Sequence, residues 1–75
     1  MKSGIEWYVI QKVKEKREEK GFTQIELSIE LGLTSGWVGK VVSRKIRDKY
    51  NLNHLNELAR IFKCNPQDFF PKKAL

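Results

Sequence analysis

Apolar side chains recur along this chain at helical spacing, and no period-two run of β-branched residues is sustained anywhere. Ile5, Val9 and Val13 fall four apart with Ile10 beside them, while Lys12, Lys14, Glu15, Glu18 and Glu19 take the remaining positions. Residues 5–20 are therefore predicted to form a helix with an aliphatic inward stripe. Gly21 stands where a helix ends on a left-handed residue. Phe22 turns the chain inward, and Leu27 and Leu31 carry the stripe into a second helix over 24–31. That helix opens with Thr23 and Glu26, a pair in which each side chain satisfies a backbone N–H at the other end of the turn. Ser28 is small, as two closely crossing helices require. Gly32 ends the helix. Thr34 is expected to cap a third over 35–44, with Val38 and Val41 inward and Ser35, Gly36, Gly39 and Lys40 outward. Leu52, Leu55, Leu58, Ala59 and Phe62 make the stripe of a fourth helix over 52–63. Asn65 before Pro66 starts a short fifth over 66–70, where Phe69 and Phe70 close the core. The expected fold is all-α, a compact bundle of five short helices forming one domain over 1–75.

Residues 22–44 carry the most information. Two short helices separated by a brief glycine-containing turn form a helix-turn-helix, the pair that reads DNA. Charge agrees with this. Fifteen Lys and Arg stand against nine Asp and Glu, a net +6 over 75 residues, which favours a polyanionic partner. Cys64 is the one cysteine, so neither a disulfide nor a zinc cluster is expected. With no signal-like or membrane-length apolar run, the expected location is cytoplasmic. No nucleophile–base pair, metal-ligand cluster or phosphate-cradling glycine loop on a strand stands out, so the chain reads as a non-enzyme needing no cofactor or metal. His54 lacks a partner and reads as a surface residue; Cys64 reads as a small buried hydrophobe.

The order and spacing of several pieces resemble the phage-repressor/Cro type of helix-turn-helix domain, the XRE family. They are Arg17 to Gly21 (REEKG), Thr23-Gln24, Leu27, Leu31-Gly32-Leu33-Thr34, Val38, Val41, Leu58-Ala59, and Cys64 to Phe70 (CNPQDFF). The resemblance covers the chain from about Val9 to Phe70. It implies a lambda-repressor-like bundle and sequence-specific binding of double-stranded DNA by a small transcriptional regulator, with the third helix in the major groove. The positions it assigns to base edges are Thr34, Ser35, Gly36 and Lys40, with Gly39 alongside; Trp37 joins them as a candidate from its own place on the helix. The resemblance assigns Gln24 and Arg17 to phosphates. This chain departs from the family after the third helix. Val42-Ser43-Arg44 stands where Glu-Arg-Gly or Glu-Asn-Gly is usual, which leaves Arg17 without its customary Glu. The following loop is longer and more basic, and Ser28 replaces a small Ala.

Several side chains admit two readings. Lys40 suits guanine O6 and N7, or a phosphate. Trp37 suits a thymine methyl, the sugar-phosphate backbone, a protein partner, or packing at the domain edge. Arg44, Lys45, Arg47 and Lys49 form either a phosphate clamp or a solvated loop. The Tyr50 hydroxyl reaches a phosphate, or its ring covers the fourth helix. Ile25 and Ile29 pack under Trp7 or Tyr8, or form an exposed patch for dimerisation. Gly36 and Gly39 mark a close backbone approach or a tolerant surface. A homodimer on a palindrome is expected, joined through that patch or through Phe69/Phe70. The other reading is a protein-interaction module, an antitoxin-like partner whose DNA binding depends on a second protein.

Overall fold

The computed structural model describes residues 1–75. It contains α1 (Gly4–Glu19), α2 (Gln24–Glu30), α3 (Trp37–Val42), α4 (Leu52–Phe62) and a closing 3-10 turn (Pro66–Phe69), with no strands. The expected fifth helix is thus a single 3-10 turn, in which the Asn65 N–H donates to Asp68 Oδ2 at 3.1 Å. No helix is long and apolar enough to cross a membrane.

The core draws on every element. Val9 and Val13 of α1, Leu27 of α2, Val38 of α3, Leu55, Leu58, Ala59 and Phe62 of α4, and Phe69 of the closing turn form one buried cluster. Within it the Phe62 ring lies 6.1 Å from the Phe22 ring and 6.4 Å from the Phe69 ring. Cys64 packs partly buried against this cluster, and burial pushes its thiol pKa up. The two expected stripes are corrected at their outer ends. Ile5 is 42% exposed and Leu52 76% exposed. Both line a groove of about 320 Å³ between the starts of α1 and α4, which Val9, Leu55, Tyr50 and Phe70 floor.

Capping explains where the helices begin. Ser3 and Glu6 form a reciprocal box at the start of α1, with the Ser3 N–H donating to Glu6 Oε1 at 2.7 Å. Thr23 and Glu26 do the same for α2, as the sequence predicts. At α4 a histidine takes the usual place of the glutamate. The Asn51 N–H donates to His54 Nδ1 at 3.0 Å, and the His54 N–H donates to Asn51 Oδ1 at 2.8 Å.

The ends of α1 and α2 share one device. After α1, the Phe22 N–H returns to the Arg17 carbonyl and the Gly21 N–H to Glu18. After α2, the Leu33 N–H returns to Ser28 and the Gly32 N–H to Ile29. Gly21 and Gly32 adopt φ of +81° and +75°, the left-handed conformation this motif needs.

The third helix is shorter than expected, at six residues from Trp37 to Val42. Thr34 is not its cap. Thr34, Ser35 and Gly36 instead form a turn closed by the Trp37 N–H on the Thr34 carbonyl at 3.0 Å. Gly36 occupies the N-cap and offers no side chain. The missing cap comes from α2. The fully buried Ser28 hydroxyl accepts the Val38 N–H at 3.0 Å and donates to the Gln24 carbonyl at 2.8 Å. At the other end Ser43 turns extended (ψ 137°), and the Lys2 ammonium donates to the carbonyls of Val41 and Ser43. A short helix has little stability of its own, so these two distant groups define where α3 lies.

Replacing Ser28 with alanine leaves the Val38 N–H buried without an acceptor. Such an orphaned donor costs about 1–3 kcal/mol. Ser28→Ala is expected to lower the unfolding free energy by that amount in urea titration, with the m-value unchanged. A stability equal to wild type contradicts the capping role.

Candidate nucleic-acid interface

The turn before α3 and the outer face of α3 form one exposed surface. Thr34, Ser35, Gly36 and Lys40 are exposed, and Gly39 is partly so. The side chains of Thr34, Ser35 and Lys40 make no hydrogen bond or ion pair within the chain. The two glycines differ. A Cβ on Gly36 would meet nothing within 4 Å, whereas one on Gly39 would lie 3.4 Å from Gln24 Oε1. Gln24, the exposed first residue of α2, therefore reaches over to the outer face of α3.

Trp37 is half-buried at the start of α3. Its ring centroid lies 4.5 Å from His54 and 5.7 Å from Tyr50. The indole thereby packs α3 against the start of α4 while staying partly exposed, and Tyr50 covers α4. Burial pushes the Tyr50 phenol pKa up, so the hydroxyl stays neutral. His54 is more than the surface residue expected. Its ring packs tilted against Trp37 and caps α4 through Nδ1, and desolvation lowers its pKa.

The expected phosphate ligands separate into two groups. Lys45 and Arg47 are exposed, without a carboxylate partner, on the loop after α3. Arg44 is also exposed, with its guanidinium 5.1 Å from the Trp7 ring centre. Lys49 and Arg17 have partners within the fold. Lys49 Nζ is 2.6 Å from Glu6 Oε2, which joins the loop to α1. That ammonium and the Ser3 N–H hold the Glu6 carboxyl at about 2. Arg17 is not left without a partner by the absence of the family's usual Glu. Its guanidinium donates to the Phe22 carbonyl at 2.7 Å, and its side chain is only 14% exposed. Ile25 and Ile29, at 58% and 60% exposed, form an open patch on α2 and do not pack under Trp7 or Tyr8.

Sequence inspection missed the structural roles of four residues. Ser3 with Glu6 was legible as a Ser-x-x-Glu box. Ser28 was seen as small, but its hydroxyl needed a known partner to acquire a role. Lys2 carried no local signal, because its partners lie 39 and 41 residues away.

Two short helices packed through a buried serine, with a glycine turn between them and an exposed second helix beside free cations, form a helix-turn-helix. A family model of the Cro/C1-type HTH DNA-binding domain matches residues 12–71, and the chain belongs to that family. It is a DNA-binding domain. No curated protein and no solved structure matches the chain.

Two shifted groups, His54 and Glu6, contribute to how stability depends on pH. The lowered His54 pKa means the folded state favours the neutral ring. Its contribution is complete above the unfolded value near 6.5 and is lost as pH falls through the folded value. The Glu6 pKa of about 2 acts lower, so its contribution is complete above 4.5 and fades as pH falls towards 2. Urea titrations across pH should show stability declining below pH 6.5 and again below 4.5. The first decline is expected to vanish in His54→Gln and the second to shrink in Glu6→Gln. Unchanged profiles in both variants contradict the assignments.

Proposed function

We propose that this chain is a sequence-specific double-stranded-DNA-binding transcriptional regulator that inserts α3 into the major groove. The observation that carries this reading is an exposed surface with no internal duties, borne on a helix fastened at both ends. Ser35 and Lys40 supply the hydrogen-bonding groups for base edges, with Lys40 suited to guanine O6 and N7. Thr34, at the turn before α3, stands beside them. Gly36 and Gly39 bring the backbone close to the groove. Trp37 stays in its packing role between α3 and α4. Phosphates fall to Gln24, Arg44, Lys45 and Arg47, which supply affinity and hold the domain in register. Arg17 and Lys49 act indirectly, by holding the turn before α2 and the loop after α3.

A domain this small covers few base pairs. The reading therefore includes a two-fold homodimer on a palindrome with half-sites about 34 Å apart. The open Ile25/Ile29 patch is the surface proposed for it, since Phe69 is fully buried and Phe70 partly so. The protein-interaction reading loses support at Trp37, whose ring already faces Tyr50 and His54.

Duplex binding by fluorescence anisotropy, followed by selection from a random pool, tests the proposal. Retained duplexes are expected to share a half-repeat, and affinity should fall with salt at a slope set by several phosphates. Ser35→Ala with Lys40→Ala should relax the selected sequence, a loss of about 1–3 kcal/mol of discrimination per base contact. Arg47→Ala should weaken all duplexes alike and reduce the salt slope by about 1. Gly39→Ala should raise stability by up to about 1 kcal/mol while weakening specific binding. Salt-sensitive binding with no shared motif contradicts specificity, and no binding at low salt contradicts the whole reading.

A further inference from the structure

The Lys2 ammonium is buried, and it lies against the C-terminal end of α3. It donates to the Val41 carbonyl and, at 2.6 Å, to the Ser43 carbonyl. The face of the Trp7 ring lies beneath it, with the ring centre 4.9 Å from Nζ. The last carbonyls of a helix lack partners within the helix, and a cation there also complements the helix dipole. Lys2 meets both needs from outside the element. It does so where the chain leaves α3 for the loop bearing Arg44, Lys45 and Arg47. Arg44 lies against the same Trp7 ring at 5.1 Å.

We propose that Lys2 is a positioning residue for DNA reading, tethering the C-terminal end of α3 and the first residue of the basic loop to α1. This rests on the reading of α3 as the element that enters the groove. Ser28 holds the start of α3 against α2, and Lys2 with Trp7 holds its end against α1. A six-residue helix fixed at both ends presents Lys40 and the turn at Ser35 in one orientation. Fixed at one end only, it samples several. The loss would fall on sequence discrimination, because nonspecific binding through loop cations tolerates a tilted helix. Lys2 touches no DNA in this scheme, so its charge does not enter the count of phosphate contacts.

Lys2→Met separates this from alternatives, since it keeps a long stem over Trp7 and removes the donors. In the free protein, amide hydrogen exchange at Val41, Val42 and Ser43 is expected to quicken at least tenfold, with α2 and α4 unchanged. On DNA, the ratio of specific to nonspecific affinity is expected to fall about tenfold with the salt slope unchanged. Lys45→Met should reverse that pattern, lowering the slope and leaving exchange in α3 as it was. Unchanged exchange in Lys2→Met overturns the tether. An unchanged affinity ratio despite faster exchange overturns the positioning role. A slope reduced by about 1 makes Lys2 a phosphate ligand instead. The wild-type chain offers a check that does not depend on the variant folding. A buried, hydrogen-bonded Lys2 ammonium should give a slowly exchanging nitrogen–proton NMR signal at neutral pH, unlike Lys45, and its absence overturns the tether. If the wild-type chain binds no duplex, the DNA reading fails, while the exchange and NMR results still decide whether Lys2 holds α3.

Discussion

The Ser28 hydroxyl is the interaction on which the α2–α3 half of the molecule depends. It is fully buried and uses both of its capacities, donating back along α2 to Gln24 and accepting from Val38 in the first turn of α3. A cap is ordinarily local, taken from the residue preceding the helix. Gly36 supplies none, so α3 begins only where α2 presents an acceptor. One oxygen thus fixes the start of α3 and the distance between the two helices. The same close approach lets Gln24 extend to the outer surface of Gly39. A larger side chain at position 28 would force the pair apart, and a hydroxyl-free one would leave the amide unsatisfied in the core.

A net charge of +6 suggests a surface of interchangeable cations, but the structure assigns them different work. Lys2 is buried at the end of α3, Arg17 bonds the turn that leads into α2, and Lys49 pairs with Glu6. Each satisfies a carbonyl or carboxylate that would otherwise be left without a strong partner. Lys40, Lys45 and Arg47 remain in solvent. Lys2 and Arg17 keep their charge while bonded to neutral carbonyls, so the net +6 is undiminished. Lys40, Arg44, Lys45 and Arg47 are exposed along α3 and the loop that follows, while Lys14, Lys20, Lys63, Lys72 and Lys73 are exposed elsewhere on the surface.

Much of the fold was legible in the sequence because its signals were local. The box at Thr23 and Glu26, the glycines at 21 and 32, and the stripe through Leu55, Leu58, Ala59 and Phe62 all lie within a turn or two of what they determine. The third helix was predicted too long for the opposite reason. Thr34 and Val42-Ser43-Arg44 look locally able to extend it, but its limits are drawn by Ser28 and Lys2, whose separation in sequence no periodicity reveals. Arg17 shows the same limit at the surface. A family pattern made its missing Glu look like a vacancy, while the Phe22 carbonyl only five residues away had already filled it. His54 gained its hydrogen bond locally, from Asn51 three residues before it, and its aromatic neighbour Trp37 only through tertiary packing.

The fastening of α3 also separates what holds the helix from what it displays. Its anchors are Val38, Val41, the Ser28 oxygen and the Lys2 nitrogen, all buried. The exposed side chains at 34, 35 and 40 owe nothing to the core. Drift or selection can therefore exchange them without first finding a compensating change inside the bundle. A lineage carrying this scaffold could change what α3 displays by surface substitutions alone, with its stability unspent.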